Sequence, residues 1–198
     1  MYTSRKIGIG YPWLSKIRMI NMKNGDISVN ILKDNNENYK LLEKWYQIEE
    51  IYKSFEQRKL NFNEIKEKYQ PRTSSKAKIP VYIINYKDTP VGIIQYKQID
   101  KKDKQLYGLI ENKIYEVDIF IGETKLHNLG IGCRSIKLLS EYLFYQKNAD
   151  KIIMCPLSDN NKAINCYKKC GFSEAKKIKT KNTIGQLKEY VLMEISNK

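Results

Sequence analysis

Asp118 lies in an alternating run, Tyr115-Glu116-Val117-Asp118-Ile119-Phe120-Ile121. Read as a strand of period two, the run sets Glu116, Asp118 and Phe120 on one face and Val117, Ile119 and Ile121 on the other. A carboxylate on such a face either pairs with lysine or solvent, or meets a ligand. In the second case it can hold an ammonium ion and take its proton, directly or through water. An amine with a lysine-like pKa of about 10.4 is protonated at neutral pH, and stripping that proton costs on the order of 4 to 5 kcal/mol. Glu123, just past the run, is a second acid that either lines an amine pocket or is a loop charge.

Downstream stands His127-Asn128-Leu129-Gly130-Ile131-Gly132-Cys133. Without Cβ atoms, Gly130 and Gly132 let the backbone turn sharply and approach a ligand closely. Such a turn aims unpaired N–H groups at one point, and the positive end of a helix beginning near Ile131 adds to them. Phosphate or pyrophosphate is the ligand such a cradle favours. A bare helix-entry turn has the same glycine pattern, so the glycines alone do not choose.

A second stretch, NNKAINCYKKCGF over residues 160–172, decides between them. Its Asn160, Ala163, Ile164, Tyr167, Lys169, Gly171 and Phe172 resemble the N-x-x-A-I-x-x-Y-x-K-x-G-F signature that ends the cofactor half of GNAT N-acetyltransferases. Gly130-Ile131-Gly132 resembles the end of the Q/R-x-x-G-x-G/A pyrophosphate motif, with His127 where glutamine or arginine is usual. VDIFIGE followed by LGIG and a helix is similar to the aminoglycoside 6′-N-acetyltransferases, whose corresponding strand carries a D-x-F-I-G-E run. The close resemblance covers roughly residues 116 to 172, and a looser one roughly 26 to 195.

The resemblance implies an α/β fold, an α+β sandwich of the GNAT type: a mixed, mostly antiparallel, twisted sheet flanked by helices, with acetyl-CoA in a cleft between splayed central strands. Acetyl-CoA is then the co-substrate, and a small-molecule primary amine the acceptor, first of all the 6′-amine of an aminoglycoside. Asp118 falls at the acceptor amine in a catalytic or substrate-binding role, with Glu116 and Glu123 beside it. Phe120, Ile121, His127, Asn128, Leu129, Gly130, Ile131, Gly132, Cys133, Asn160, Ala163, Tyr167 and Lys169 fall on the cofactor. Tyr167 either gives a proton to the departing thiolate or packs against the pantetheine or core. Asn160 opens a helix, where its side chain caps free N–H groups, a role compatible with a hydrogen bond to the pantetheine arm. Backbone N–H groups near Phe120 are candidates for the oxyanion. No covalent enzyme intermediate is needed, so direct attack in a ternary complex is expected. The alternatives are another amine (a siderophore precursor, a polyamine or a protein N-terminus) and, from a different class, an inactive binding module on the same fold.

The elements that must position these groups follow from local pattern. Ile27, Val29 and Ile31 alternate as a first strand. Residues 38–68 carry apolar groups at helical spacing, enough for two or three helices with a break near Leu60-Asn61. Pro80 opens the strand PVYIINY, and Lys87-Asp88-Thr89-Pro90 turns it into VGIIQYKQI, a hairpin. The charged segment from Asp100 to Asn112 reads as a loop lying over the substrate. Beyond it come the strand with Asp118, a helix over 131–147 burying Ile136, Leu139 and Leu143, the strand KIIMCP, a helix over 160–169, and strands over 171–178 and 188–195.

At 198 residues the chain is sized for one domain. Residues 1–25 match no pattern and read as an N-terminal extension, an arm or an extended start, ahead of a domain over 26–198. No apolar run of membrane-spanning length and no secretory pattern is present, so a cytoplasmic protein, monomer or homodimer, is expected. Cys133, Cys155, Cys166 and Cys170 read as reduced, partly buried thiols, and with His127 the only histidine no metal site is expected. The net charge of +14 comes from basic residues that are lysine except for Arg5, Arg18, Arg58, Arg72 and Arg134. They are scattered among acids along the chain, a compositional bias rather than a nucleic-acid stripe, so nucleic acid is not expected as a partner. Such a charge would repel a polycationic aminoglycoside unless acids gather at the pocket, with Asp118, Glu116, Glu123, Glu43, Glu49 and Glu50 available to do so.

Overall fold

The computed structural model describes residues 21–197, so most of the expected extension lies outside the described residues. A single eight-stranded sheet runs in the order β1 (Asn21–Asn24), β2 (Ile27–Ile31), β3 (Val81–Tyr86), β4 (Thr89–Gln98), β5 (Ile114–Ile121), β6 (Lys151–Met154), β8 (Leu187–Ser196), β7 (Ser173–Lys181). Every neighbouring pair is antiparallel except β5 and β6, which are parallel. β1 to β5 form an antiparallel meander, with short turns after β1 and β3 and helical connections over residues 32–80 and 99–113, and the parallel step is made through α5 (Ile131–Lys147). The boundary expected at residue 25 cuts a hairpin: Asn21–Asn24 pair with β2 and belong to the sheet.

Helices cover both faces. α5 lies against β1, β2, β5 and β6, and buries Ile136, Leu139 and Leu143 with Tyr82, Ile94 and Val117. α6 (Asn161–Lys169) adds Ile164 to the same cluster. On the opposite face α1 (Asn36–Tyr46), α2 (Glu49–Phe55) and α3 (Phe62–Tyr69) form a cluster around Trp45, Tyr46 and Tyr69 that takes in Ile83, Ile93 and Phe120. α3 starts at a capping box, in which Asn61 and Glu64 each satisfy the other's backbone N–H; this is the break expected near Leu60-Asn61.

Residues 100–112, expected as a loop, instead contain α4 (Lys101–Tyr107). Asp100 caps it by accepting from the Asp103 N–H at 2.9 Å, and Gly108 ends it in the left-handed conformation. Tyr107 anchors the helix on Ile99, Ile114, Ile153 and Leu192. With one buried residue in two turns, the run of charges masks the period.

The site depends on how β5 is paired. Along β4 it is bonded from Tyr115 to Ile121, but along β6 only over Ile114 to Glu116. From Val117 onward the β6-side edge of β5 has no strand partner. The strands splay there, and the gap opens to both faces of the sheet.

Candidate active site

On the Asp118 face of β5, Phe120 joins the α1–α3 cluster and Ile114 joins the cluster under α4. Glu116 and Asp118 fall between the two, in the wall of a cleft of about 1130 Å³. Strand register brings Lys97 opposite Glu116 and Gln95 opposite Asp118. The buried Gln95 amide donates to Asp118 Oδ2 at 3.0 Å, and its oxygen accepts from Arg72 Nη1 at 3.2 Å. Lys97 Nζ lies 2.9 Å from Glu116 Oε2, an ion pair without hydrogen-bond alignment, and donates to Asp103 at 3.3 Å. Burial pushes the Glu116 carboxyl up to about 7; Asp118 adds to the rise and Lys97 opposes it. Burial works against the charge on Lys97, but Glu116 and Asp103 outweigh it and raise its pKa.

Lys68 and Arg72 enter the cleft from the end of α3 and the 3-10 turn Gln70–Arg72. Burial, then Arg72, push the Lys68 ammonium down to about 7, and Asp118 acts the other way. The direct contact of Lys68 with Glu56 also favours the charged form. Behind them the Tyr46 and Tyr69 hydroxyls are 2.6 Å apart, and Arg72 stacks 5.6 Å from the Tyr69 ring centre.

The other side of the cleft is backbone. Gly130 has φ +73, and nothing lies within 4 Å of the place a Cβ would take, so the turn is open as well as left-handed. α5 has no side-chain cap, and the first N–H groups of a helix lack intrahelical partners. A phosphate fits this unfilled cradle. His127, in the place of the usual glutamine or arginine, bonds Ile121 O at 2.9 Å and ties the turn to the end of β5. Asn160 caps α6 through Ala163 N at 3.1 Å, as its position suggests. Tyr167, half-buried, faces the cleft; burial and then Asp118 raise its pKa, so its phenol stays protonated.

Cys133 and Cys166 line the same wall, and a Cβ on Gly132 would lie 3.9 Å from Cys166 Sγ. A hydrogen bond from Cys170 and the charge of Lys169 outweigh burial and bring the Cys166 thiol down to about 7. All four cysteines are free. Three ties cross the opening: Lys162 to Glu50 at 2.9 Å, Asn160 Nδ2 to Ser54 Oγ at 3.4 Å, and Thr183 Oγ1 to Glu56 O at 2.8 Å. The last brings the β7–β8 hairpin tip to the end of α2.

Most of the sequence-derived residues converge on this cleft: Glu116, Asp118, Phe120, Ile121, His127, Asn128, Gly130, Ile131, Gly132, Cys133, Asn160, Ala163, Tyr167 and Lys169 all line it. Leu129 does not; it is turned outward. Nor does Glu123, whose carboxylate accepts from Lys44 Nζ at 2.7 Å and Trp45 Nε1 at 2.9 Å. Trp45 packs on Gly122, and this seat draws Glu123 towards α1 instead of the cleft. Glu43 and Glu49 are also outside the lining, and Glu50 reaches it already paired. Gln95, Lys97, Lys68 and Arg72 were not singled out beforehand. For the first two the signal is the hairpin register, which sets them opposite Asp118 and Glu116.

Comparison with known proteins agrees with this geometry. Residues 34–180 match the model of the acetyltransferase (GNAT) domain. The chain is 22% identical over 171 residues to an aminoglycoside N(6′)-acetyltransferase type 1 of Serratia marcescens, covering 85% of this chain and 82% of that protein. Among solved structures it is similar to aminoglycoside acetyltransferase AAC(6′)-Ib in complex with coenzyme A and kanamycin, with TM-score 0.67 and 18% identity over 86% of this chain and 95% of that one. It is also similar to spermidine N-acetyltransferase from Vibrio cholerae in complex with CoA and spermine, with TM-score 0.69 and 19% identity over 87% and 96%. The mixed sheet that splays beside a left-handed glycine turn is thus the GNAT fold, and the chain belongs to the GNAT acetyltransferase family.

Proposed function

We propose that the chain transfers acetyl from acetyl-CoA to a primary amine of a small molecule by direct attack, with Asp118 as the base. The observation that carries this reading is the position of Asp118. It stands on the stretch of β5 without a β6 partner, between the Gly130 cradle and the Gln95 amide, which occupies Oδ2. When bound, acetyl-CoA supplies an acyl thioester. Its pyrophosphate is assigned to the N–H groups of Ile131, Gly132 and Cys133, and its pantetheine arm to the free edge of β5 from Val117 to Ile121.

Asp118 holds the ammonium form of the acceptor and takes one proton, leaving the nitrogen lone pair to form the C–N bond; the C–S bond breaks as the adduct nitrogen gives its surplus proton to solvent. Free N–H groups of β5 near Phe120 steady the oxyanion. Tyr167 donates a hydrogen bond to the departing sulfur. Its raised pKa makes complete transfer to a thiolate of ordinary pKa, about 8.5, uphill, so solvent returns the proton.

The relatives make the 6′-amine of an aminoglycoside the first acceptor to test, and the spermidine enzyme adds the polyamines. One observation favours a different amine: of the acids lining the cleft, Glu50, Glu56 and Glu116 are each paired with a lysine, which leaves Asp118 alone to receive a cation. The test is thiol release from acetyl-CoA with a panel of amines, repeated with Asp118→Asn. Loss of turnover with retained CoA binding is expected. Unchanged turnover in the variant would remove Asp118 as base, and release with no member of the panel would sink the activity.

A further inference from the structure

Among the described residues three cations lining the cleft form no ion pair, Arg72, Lys169 and Lys181, and of these only Arg72 is bonded to the glutamine that holds Asp118. Among the described residues Lys68 contacts Glu56, Lys97 contacts Glu116 and Asp103, and Lys162 contacts Glu50, whereas Arg72 forms no ion pair. Its one side-chain hydrogen bond goes to the Gln95 oxygen, and its ring partner is Tyr69. It is half-buried in the cleft wall, so several of its donors have no protein acceptor. The carboxylate left over is Asp118, held by the same glutamine from the other end. One carboxamide therefore separates an unpaired cation from an unpaired anion.

From this juxtaposition we infer that the acceptor carries a carboxylate as well as its amine: the ammonium meets Asp118 while the carboxylate takes the guanidinium of Arg72. A planar guanidinium matches a carboxylate by paired N–H···O bonds, which a lysine could not offer. Gln95 sets the spacing. With bonds of 3.2 and 3.0 Å on either side of the amide, the two charged ends of the acceptor lie only a few bonds apart. Lys68 stands beside Arg72 but is already paired with Glu56, so the guanidinium is the charge this corner offers a ligand. A polycation would meet that corner unfavourably; a zwitterion completes it.

The inference rests on the acetyltransferase reading for which group is acetylated, but not for binding, so the test separates the two. The probes are ω-amino carboxylates of increasing chain length, the alkylamines of matching length without the carboxylate, the corresponding aminophosphonates, and kanamycin. Each is titrated calorimetrically into the protein saturated with CoA, and each is assayed for thiol release from acetyl-CoA.

One ω-amino carboxylate is expected to bind at least tenfold tighter than its alkylamine and than kanamycin. Arg72→Met should abolish that preference while CoA affinity stays as it was, and Arg72→Lys should restore part of it. An aminophosphonate binding more tightly than the carboxylate would overturn the carboxylate assignment. Equal binding of amines with and without the carboxylate, or tighter binding of kanamycin, would overturn the subsite. The carboxylate preference without thiol release would leave the subsite standing and reject the acetyltransferase reading.

Discussion

Gln95 Nε2 and Asp118 Oδ2 are 3.0 Å apart on neighbouring strands, in direct register across β4 and β5. The bond restrains the Asp118 carboxylate and spends one oxygen, leaving the other, in the cleft wall, without a side-chain partner among the described residues. Because Gln95 is buried and holds Arg72 with its own oxygen, the amide cannot flip without breaking both bonds. Gln95→Leu is expected to lower kcat by about tenfold through loss of alignment, against a hundredfold or more for Asp118→Asn, in the range of a positioned base. Steady-state assays with CoA affinity measured in parallel check this; equal losses in the two variants would remove the distinction between positioning and proton transfer.

Glu116 gives the fold a pH dependence of definite sign. Its folded pKa, pushed up to about 7 by burial and Asp118, stands above the ordinary carboxylate value, so the native state holds a proton that the unfolded chain releases. Stability from this group is present in full below about pH 4.5 and falls as pH rises to about 7, by on the order of 3 kcal/mol. Thermal melts of the wild type and Glu116→Gln across that window should diverge, the variant losing less with rising pH. Parallel curves would show that Lys97 keeps Glu116 ionised throughout.

Gly122 is a packing requirement. A Cβ there would stand 2.3 Å from the Trp45 ring, which is fully buried and donates to Glu123. Gly122→Ala must displace the indole or the end of β5, at a cost of about 1 to 3 kcal/mol. That corresponds to a fall in Tm of about 2 to 12 °C for a chain of this size. A melt unchanged within a degree would mean that Trp45 moves freely.

Cys166 reports on the cofactor wall. With its thiol brought down to about 7, about half is thiolate at neutral pH, and it lies next to Gly132. Alkylation by iodoacetamide should show a midpoint near pH 7 at this residue and be slowed at least severalfold by saturating CoA. Mass spectrometry of the labelled peptides reads both. Labelling indifferent to CoA would place the pantetheine and pyrophosphate elsewhere.

What could be read from the chain was whatever is local in it. The alternation of β5, the cap at Asn160 and the left-handed Gly130 depend on residues within a few positions of one another, and each is where the pattern puts it. Asp100 to Asn112 was also local, but its cap and its Tyr107 anchor were outweighed by charges that leave a short helix without a visible period. The acceptor pocket was least legible, because its members meet across the sheet. Gln95 becomes a partner of Asp118 only through the β4–β5 register, and Arg72 becomes a partner of Gln95 only once α3 packs over β4. Glu123 shows the same limit from the other side: nothing near it in sequence announces Lys44 and Trp45, which take it from the cleft.

The parting of β5 from β6 after Glu116 makes the sheet a wall with a doorway in it. On the proposed reading the thioester carrier arrives from the room on the α5 and α6 side and the amine from the room on the α1–α3 side, to meet on the threshold. Neither has to leave for the other to come in. Either substrate can therefore load first, and spent CoA should compete with fresh acetyl-CoA for its own entrance while leaving the amine's entrance free.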